Sequence, residues 1–419
     1  MRAARAWTRP RASSPPGETA SVETRHAGRA IFALAVGGFA IGTTEFVTMG
    51  LLPQVAAGTA VDIPTAGHYV SAYAAGVVVG APVIAVLAAK APRKAVLVWL
   101  MVAFALANAA SGFVDTYWPL MTARFVSGMP HGAFFGLGSL VAASLVPAHR
   151  RTWAVAMILI GLAVANVVGV PLTTLLGQRI GWQVPFWIVG GIGAVCVAAV
   201  LAWVPHEAVT GEESFRDELR ALTRLQVWLA LAIGTVGFGG MFSTYAYITP
   251  TMTELAGIPL SWIPVVLAIY GLGMVTGMVT AGRVAHLGIM RGIIASLAAI
   301  AVMLAVFGYA AHSPVLAVIF VYILGVLPSI LVPLLQTRLM DVAHEGQGLA
   351  AALNHSTLNT ANALGAWLGS LVLAAGWGYE WPSRVGAMLA VLGLGVAVLS
   401  AAIGRRSLAV AAATARAAP

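Results

Sequence analysis

Charged side chains are scarce in this sequence of 419 residues. They make up 9% of it, whereas soluble domains carry about 25%. Hydrophobic residues make up 60%, more than a soluble core needs. These fractions exclude an ordinary soluble domain and favour a protein with many membrane spans. The formal net charge of +9 would suit a nucleic-acid partner, but the placement of the basic residues accounts for it without nucleic acid.

Cysteine is almost absent as well. The only one, Cys196, lies inside an apolar run, which excludes an intrachain disulfide and a cluster of thiolate metal ligands. The sequence contains no Walker A loop, zincin helix or catalytic serine motif, and the glycines at 234–240 lie in an apolar segment where they suit helix packing. We therefore predict no enzyme, no cofactor and no bound metal.

Long apolar segments are what the sequence has in abundance. Twelve of them follow residue 30, and each is long enough to cross a bilayer core of about 30 Å as a helix. They predict an all-helical membrane protein with twelve transmembrane helices. The segments are 31–54, 67–89, 94–113, 118–145, 153–177, 183–204, 226–249, 261–285, 290–311, 314–339, 348–374 and 382–403.

Polar stretches divide the segments into two groups of six. Residues 1–29 lack the apolar core of a secretory signal and predict a disordered cytoplasmic tail, unless the start codon is assigned too far upstream. Residues 30–204 and 226–403 predict two six-helix bundles. Residues 205–225 predict a cytoplasmic linker with a short amphipathic helix, and residues 404–419 a basic cytoplasmic tail.

The basic residues predict the orientation. There are 23 Lys and Arg residues, and with a cytoplasmic N terminus 20 of them fall on the inner side. Arg179 and Arg384 fall outside, and Arg124 lies within the fourth segment. This bias is the positive-inside pattern, so we expect a multi-pass protein of the cell membrane with both termini in the cytoplasm.

The sequence also repeats itself. YAAGVVVG at 73–80 matches YGLGMVTG at 270–277 at an offset of 197, and ANVVG at 165–169 matches ANALG at 361–365 at an offset of 196. Two matches at nearly one offset indicate an internal duplication. Two six-helix halves of this kind are typical of transporters, which hold their substrate at the midplane between the halves.

Glu45 is the only charged residue in the first apolar segment. An ionised carboxylate inside a membrane is costly, so Glu45 should be protonated, paired or facing a wet cavity. The functional hypothesis is a site for a proton or a substrate cation. The alternative is a structural acid that pairs with a neighbour or reaches the interface.

Arg124 and His131 lie two turns apart in the fourth segment. Arginine stays charged in proteins and needs an anionic or carbonyl partner. Glu45 is the only acid within a segment, so we predict that it is coupled to Arg124; the alternative is that Arg124 satisfies backbone carbonyls. His131 is a candidate proton relay because imidazole titrates near neutral pH, or else a neutral hydrogen-bonding residue.

Polar residues in other apolar segments are candidates to line a substrate cavity. In the eleventh segment, the side chains of residues 355, 359 and 362 share one helix face. The alternative is that such residues only join helices by hydrogen bonds. The candidates are Thr44, Thr48, Tyr73, Asn166, Tyr245, His355 and Asn359.

Four stretches carry a resemblance to a known family: GTTEF at 42–46, ARFVSGMPHGAFFG at 123–136, GVPLTTLLGQRIGW at 169–182 and LNHSTLNTANALGAWLG at 353–369. With them the chain resembles the major facilitator superfamily, in particular its twelve-helix drug:proton antiporters. It is similar to the arabinose-efflux-permease-like and chloramphenicol-resistance exporters. The resemblance implies two pseudo-symmetric six-helix bundles and a monomer.

The resemblance also implies roles for single residues. Arg124 occupies the buried arginine of the family's fourth-helix motif, with a role in proton transfer or in tuning a nearby acid. Gly169 and Pro171 fit the antiporter motif of the fifth helix, where they permit close packing and a bend.

The family's loop signature after the second helix is only partly present. Arg93 and Lys94 are retained, but Ala89 replaces the aspartate that stabilises the outward-facing state in the family. The copy in the second half retains Gly282, followed by Arg283. The missing aspartate leaves that gating contact in doubt.

The sequence thus predicts proton-coupled export of a small organic compound by alternating access. Its partners would be a small-molecule substrate, protons and the lipid bilayer, with no nucleic acid. One membrane carboxylate suits a neutral or weakly cationic substrate. The alternatives are a proton symporter for uptake of a sugar or nucleoside, and a membrane sensor that transports nothing.

Overall fold

The computed structural model describes residues 16–88, 91–147, 150–205, 222–343 and 347–417, and the regular structure of these residues is entirely helical. Twelve long helices form the fold, two of which contain a single wider π turn. They are α1 (Pro16–Gly50), α2 (Ile63–Ala88), α3 (Arg93–Ser111), α4 (Tyr117–Ser144), α5 (Arg151–Val164, the π turn Ala165–Gly169, and Val170–Ile180), α6 (Val184–Trp203), α7 (Leu225–Ala232, the π turn Ile233–Gly237, and Phe238–Tyr245), α8 (Ile263–Ala285), α9 (Ile289–Ala310), α10 (Pro314–Ala343), α11 (Gln347–Ala374) and α12 (Trp381–Ala417).

Eleven of these helices are long and apolar enough to cross a membrane. The twelfth is α11, which has the required length at 28 residues but carries a series of buried asparagines, Asn354, Asn359 and Asn362. Polar residues are tolerated at membrane depth when they face the interior of a bundle. The helices therefore lie where the apolar segments predicted them.

The terminal segments differ from the prediction. Helix α1 begins at Pro16, so the prediction of disorder over residues 1–29 is wrong for residues 16–29, which extend the first membrane helix by several turns. Helix α12 likewise continues to Ala417. The predicted amphipathic helix of the linker lies at residues 206–221, outside the described residues.

The two halves of the chain pack in the same way. In the first half α2 packs on α4, α3 on α6, and α1 on α5. In the second half α8 packs on α10, α9 on α12, and α7 on α11. Two crossed pairs, α2 with α11 and α5 with α8, join the halves. These pairings give the fold the two-fold pseudo-symmetry that the sequence repeat predicted.

The repeat marks places where helix backbones touch. A Cβ on Gly76 of α2 would collide with the backbone carbonyl of Phe125 in α4, and a Cβ on Gly273 of α8 would collide with the carbonyl of Tyr322 in α10. The same offset of 197 residues relates both members of these pairs. Small residues allow such close approach of helices in lipid, so the repeated glycines encode one contact twice.

The halves meet closely at one end of the bundle. We call the end at which α1 begins and α12 ends the terminal face, and the other end the opposite face. At the opposite face Thr249 Oγ1 donates to the carbonyls of Gly50, at 3.0 Å, and Met49, at 3.1 Å. Gln178 Nε2 of α5 donates to the carbonyl of Leu260, at 3.0 Å. One apolar cluster there draws residues from both halves.

The packing differs toward the terminal face. Among the described residues, one apolar cluster there contains only residues of the first half, such as Leu97 and Phe104, and another contains only residues of the second half, such as Val227 and Leu339. The bundle is thus sealed between its halves at the opposite face.

Candidate functional site

Arg124 is the centre of a hydrogen-bond network between three helices of the first half. Its side chain in α4 is fully buried. Nη1 donates to Thr44 Oγ1 of α1 at 2.9 Å, and Nη2 donates to the Thr44 carbonyl at 3.1 Å. Thr44 Oγ1 in turn donates to Asn108 Oδ1 of α3 at 2.5 Å, and Asn108 Nδ2 donates to the carbonyl of Phe104 at 2.9 Å. A neutral hydroxyl and a backbone carbonyl therefore hold the guanidinium.

Aromatic rings cover the Arg124 guanidinium. Its central carbon lies 4.5 Å from the ring centroid of Tyr73 and 5.3 Å from that of Phe186. Such cation–π contacts stabilise a buried cation without neutralising it. Nε of Arg124 has no hydrogen-bond partner. The positive charge is thus retained and is available to a carboxylate nearby.

Glu45 follows Thr44 in α1, and its side chain is 6% exposed. It interacts electrostatically with Arg124 and faces Asn362 of α11, although neither amide atom of Asn362 has a partner in hydrogen-bonding geometry. No hydrogen bond joins Glu45 to Arg124. Thr44, and not Glu45, is therefore the direct ligand of the arginine, and the coupling of Glu45 to Arg124 stays a prediction.

Two of the predicted cavity residues have other partners. The Thr44 hydroxyl both accepts and donates within the arginine network, so its hydrogen is already used and only one acceptor lone pair is left for a substrate. The Tyr73 hydroxyl lies 3.1 Å from His131 Nδ1, which also connects His131 to the arginine site. Both therefore belong to the framework around Arg124, and their place in a substrate cavity stays a prediction.

A row of rings runs from this network across to the second half. His131 packs edge-on against Phe135, with ring centroids 5.3 Å apart. Phe135 stacks on His355 of α11, with centroids 5.4 Å apart and planes 3° from parallel. His355 therefore joins α4 and α11 through a ring stack on the terminal side of Glu45.

Other predicted cavity residues present polar atoms without partners. Asn166 and Asn359 each donate an amide hydrogen to a carbonyl of their own helix, at 3.0 Å, which leaves the amide oxygen unpaired. Buried polar groups are normally hydrogen-bonded, so unpaired ones indicate a place for ligand or water. The unpaired atoms are Thr48 Oγ1, Asn166 Oδ1, Tyr245 OH, Asn359 Oδ1, and Oδ1 and Nδ2 of Asn362.

An aromatic cluster lies next to Glu45 and contains residues of both halves. The ring of Phe46 in α1 lies 5.6 Å from Tyr245 and 6.3 Å from Tyr270, centroid to centroid. Tyr245 and Tyr270 are 4.0 Å apart, and Phe242 lies 6.4 Å from Phe46. All four side chains are buried. The cluster continues the seal between the halves from the opposite face as far as Glu45.

The glycine–proline motif produces a local widening of α5. Pro171 has no N–H and cannot continue the regular helical ladder. The chain forms a π turn over Ala165–Gly169 just before it, in which the N–H of Val170 bonds to the carbonyl of Ala165. Gly169 is buried where a Cβ would press on Phe39, so α1 packs directly against this turn.

The remaining predicted gating residues lie near the terminal face. Lys94 Nζ donates to the carbonyl of Leu201 at 2.7 Å and so ties α3 to α6. Arg93 is half-buried and Arg283 is exposed. Around Gly282, which the second-half loop signature retains, a Cβ would have no atom within 4 Å. Gly282 lies on an exposed part of α8, and its gating role stays a prediction.

The prediction of the site missed Asn108. It is fully buried, and it orients the hydroxyl that binds Arg124. The presence of an asparagine inside the largely apolar third segment was a signal for it, but the partner lies 64 residues away in sequence. In the described residues no group of three or more His, Cys, Asp or Glu side chains could hold a metal ion.

Comparison with known proteins agrees with this fold. A family profile described as the Major Facilitator Superfamily matches residues 34–366. The inner membrane transport protein YdhP of Escherichia coli K12 is 38% identical over 88% of this chain and 95% of its own length. The chloramphenicol resistance protein of Streptomyces lividans is 33% identical, with the same coverage of 88% and 95%.

A solved structure extends the likeness to the three-dimensional fold. The crystal structure of a D-xylose–proton symporter superposes with a TM-score of 0.72 at 16% identity, over 87% of this chain and 96% of the symporter. At that identity it is the fold that is shared. The resemblance seen in the sequence is confirmed, and this chain belongs to the major facilitator superfamily of multi-pass membrane transporters.

Proposed function

We propose that this transporter exports a small organic compound in exchange for protons, with Glu45 as the carboxylate that binds the proton. The observation that carries the proposal is the position of Glu45: it is buried, and it lies within electrostatic reach of Arg124. The arginine is itself held only by neutral groups. An intramembrane acid in such a place is a functional site by default, because an ionised carboxylate would be costly there without a partner.

The geometry suggests how proton binding changes the site. With Glu45 protonated, the hydrogen bonds of Arg124 to Thr44 need no charged partner. Loss of the proton leaves a carboxylate next to a guanidinium whose Nε is unpaired, and charge-assisted hydrogen bonds are stronger than neutral ones. Arg124 would then transfer bonds from Thr44 to Glu45. Such a shift would bind α1 and α4 together differently in the two protonation states.

The direction of transport is argued from the two faces. The seal at the opposite face supports a state that loads from the terminal face. The positive-inside bias supports a cytoplasmic terminal face, with both termini in the cytoplasm. Substrate would enter from the cytoplasm in competition with the proton, and each ligand favours the conformation that it binds better. The name of the Streptomyces relative, a resistance protein, also favours export. We expect the transporter to work as a monomer.

The test is transport into inside-out membrane vesicles. Labelled antibiotics and sugars are offered with and without a proton gradient, to the native chain and to Glu45→Gln. We expect gradient-driven accumulation that the substitution abolishes. Glu254→Gln is the matched control, because Glu254 is an exposed acid and its loss should leave transport unchanged.

The remaining outcomes are equally specific. Accumulation that persists in Glu45→Gln would place the proton site elsewhere, with His131 the next residue to substitute. Uptake in the reverse direction, in which substrate enters right-side-out vesicles together with protons, would refute export in favour of symport.

A further inference from the structure

The unpaired polar atoms between the halves are mostly hydrogen-bond acceptors. Asn166 and Asn359 each donate a side-chain amide hydrogen to a backbone carbonyl of their own helix. Each therefore presents only its side-chain amide oxygen to a ligand. Asn362 presents its carbonyl oxygen and its amide. Thr48 and Tyr245 carry hydroxyls that can donate or accept. A ligand that donates hydrogen bonds would satisfy this set, whereas a ligand with acceptors alone would leave buried oxygens unpaired.

Helices of both halves carry the acceptors. Asn166 and Asn362 correspond to each other in the two copies of the repeat, ANVVG and ANALG. They lie on α5 and α11, the helices that pack across the boundary between the halves against α8 and α2. The backbone of Asn166 touches Gly271 of α8, and Asn362 faces Glu45 of α1. A ligand bound to both amides would therefore bridge the halves.

The cation beside the site already has partners for part of its guanidinium. The Arg124 guanidinium donates to Thr44 and lies over the rings of Tyr73 and Phe186. An anionic ligand would have to compete for it with Glu45. A neutral ligand makes no such demand, and removing it from water costs less than removing an ion.

We infer that the site between the halves, built around Asn166, Asn362 and Glu45, takes a neutral solute that donates several hydrogen bonds, such as a polyol or an amide that also carries hydroxyl groups. The inference rests on the proposed function, because it identifies the substrate class of the same site.

The test is direct binding to the purified full chain in lipid nanodiscs, without any proton gradient. Chloramphenicol and L-arabinose are the donor-rich neutral probes, tetraphenylphosphonium is a cation without donors, and benzoate is an anion without donors. We expect a donor-rich probe to bind more tightly than the other two. Loss of one neutral hydrogen bond in Asn166→Ala or Asn362→Ala should weaken its binding about three- to tenfold.

Two further variants separate binding from folding. Asn354→Ala is the matched control on α11, because the Asn354 amide already has a partner, Gln336 Oε1, at 3.4 Å and its loss should leave binding unchanged. Asn362→Leu keeps a similar volume and removes an unpaired buried amide, so it should weaken binding while the melting temperature stays the same or rises. A residue with a purely structural role would lower the melting temperature instead.

The opposite results are decisive. Tighter binding of tetraphenylphosphonium or benzoate, no binding of either donor-rich probe, or unchanged binding in both asparagine variants would overturn the inference. Gradient-driven, Glu45-dependent export of tetraphenylphosphonium would overturn it while leaving the proposed function intact. Binding of a donor-rich probe that depends on the asparagines, without proton-coupled transport, would support the inference and refute the proposed function.

Discussion

Thr44→Val tests whether the arginine network holds the first half together. Valine keeps the branched shape of threonine but removes the hydroxyl that accepts from Arg124 at 2.9 Å and donates to Asn108 at 2.5 Å. A hydrogen bond to a charged group contributes about 1.5–3 kcal/mol, and a neutral one about 1 kcal/mol. Hydrogen bonds between membrane helices average only about 0.6 kcal/mol each. We therefore expect a loss of about 1–4 kcal/mol.

The upper part of that range applies if Arg124 finds no replacement partner. The arginine is fully buried, so water does not replace the missing hydroxyl, and the carbonyl of Thr44 at 3.1 Å is its one remaining hydrogen-bond acceptor. The loss should appear as a lower free energy of unfolding of the purified protein in detergent. Gradient-driven export should fall as well, because Arg124 is no longer fixed beside Glu45.

Thr43→Val is the matched control for this experiment. The Thr43 hydroxyl packs against Gly169 of α5, but its hydrogen bond goes to the carbonyl of Phe39 at 2.8 Å, one turn earlier in the same helix. Such a bond within one helix adds little to stability, so the control should change the free energy of unfolding by less than about 0.6 kcal/mol. Equal effects of the two substitutions would refute the reasoning.

Three further predictions concern packing, the seal and a helix cap. Gly76→Ala forces a Cβ onto the carbonyl of Phe125 and should lower the free energy of unfolding by about 1–3 kcal/mol. Gly282→Ala is the control, because the space around Gly282 is open, and it should not lower the free energy of unfolding. Equal losses for the two variants in denaturation experiments would contradict this. Thr249→Val removes the hydroxyl that hydrogen-bonds the two halves together and should raise the population open at the opposite face about fivefold. The measurement is the distance between spin labels on the loops of that face, which should become longer. An unchanged distance distribution would count against the seal. Asp62 precedes α2 and accepts from the Thr65 N–H at 2.9 Å; hydrogen bonding by the Thr65 side chain and by this N–H lowers the pKa of the Asp62 carboxyl. Its stabilising effect is therefore present above the unfolded-state pKa and is lost as pH falls through the lowered pKa, so Asp62→Ala should cost about 1 kcal/mol at neutral pH and nothing in strong acid; a difference in melting temperature that persists in acid would refute the cap.

The sequence predicted the helices and their pseudo-symmetry because both depend on local composition. In lipid, the polar groups of the backbone must form their hydrogen bonds within the segment. A long apolar run therefore forms a helix. The glycines at 76 and 273 repeat because each permits the same backbone contact. The prediction of a disordered tail was wrong because it also depended on local composition. The polar composition indicated disorder, but residues 16–29 belong to the same helix as the first apolar segment.

For the site, the sequence indicated single residues but not the partners of those residues. The rarity of charges in the apolar segments marked Glu45 and Arg124, and the structure buries both within electrostatic reach of each other. The sequence could not reveal that Thr44 and Asn108 form the hydrogen-bond network of the arginine, because their helices meet only through tertiary packing. It also could not separate the satisfied hydroxyl of Thr44 from the unpaired one of Thr48, because both are threonines one turn apart on α1.

By itself, then, the sequence determined the class of the protein, the positions of its helices and the repeat that relates its halves, all of which follow from hydropathy and the spacing of small residues. Only the tertiary structure decided which polar groups are paired, which are left unpaired between the halves, and which face is sealed. Those properties depend on contacts such as that between Thr249 and Gly50, whose members lie 199 residues apart, and no local pattern encodes the partner of a residue on a distant helix.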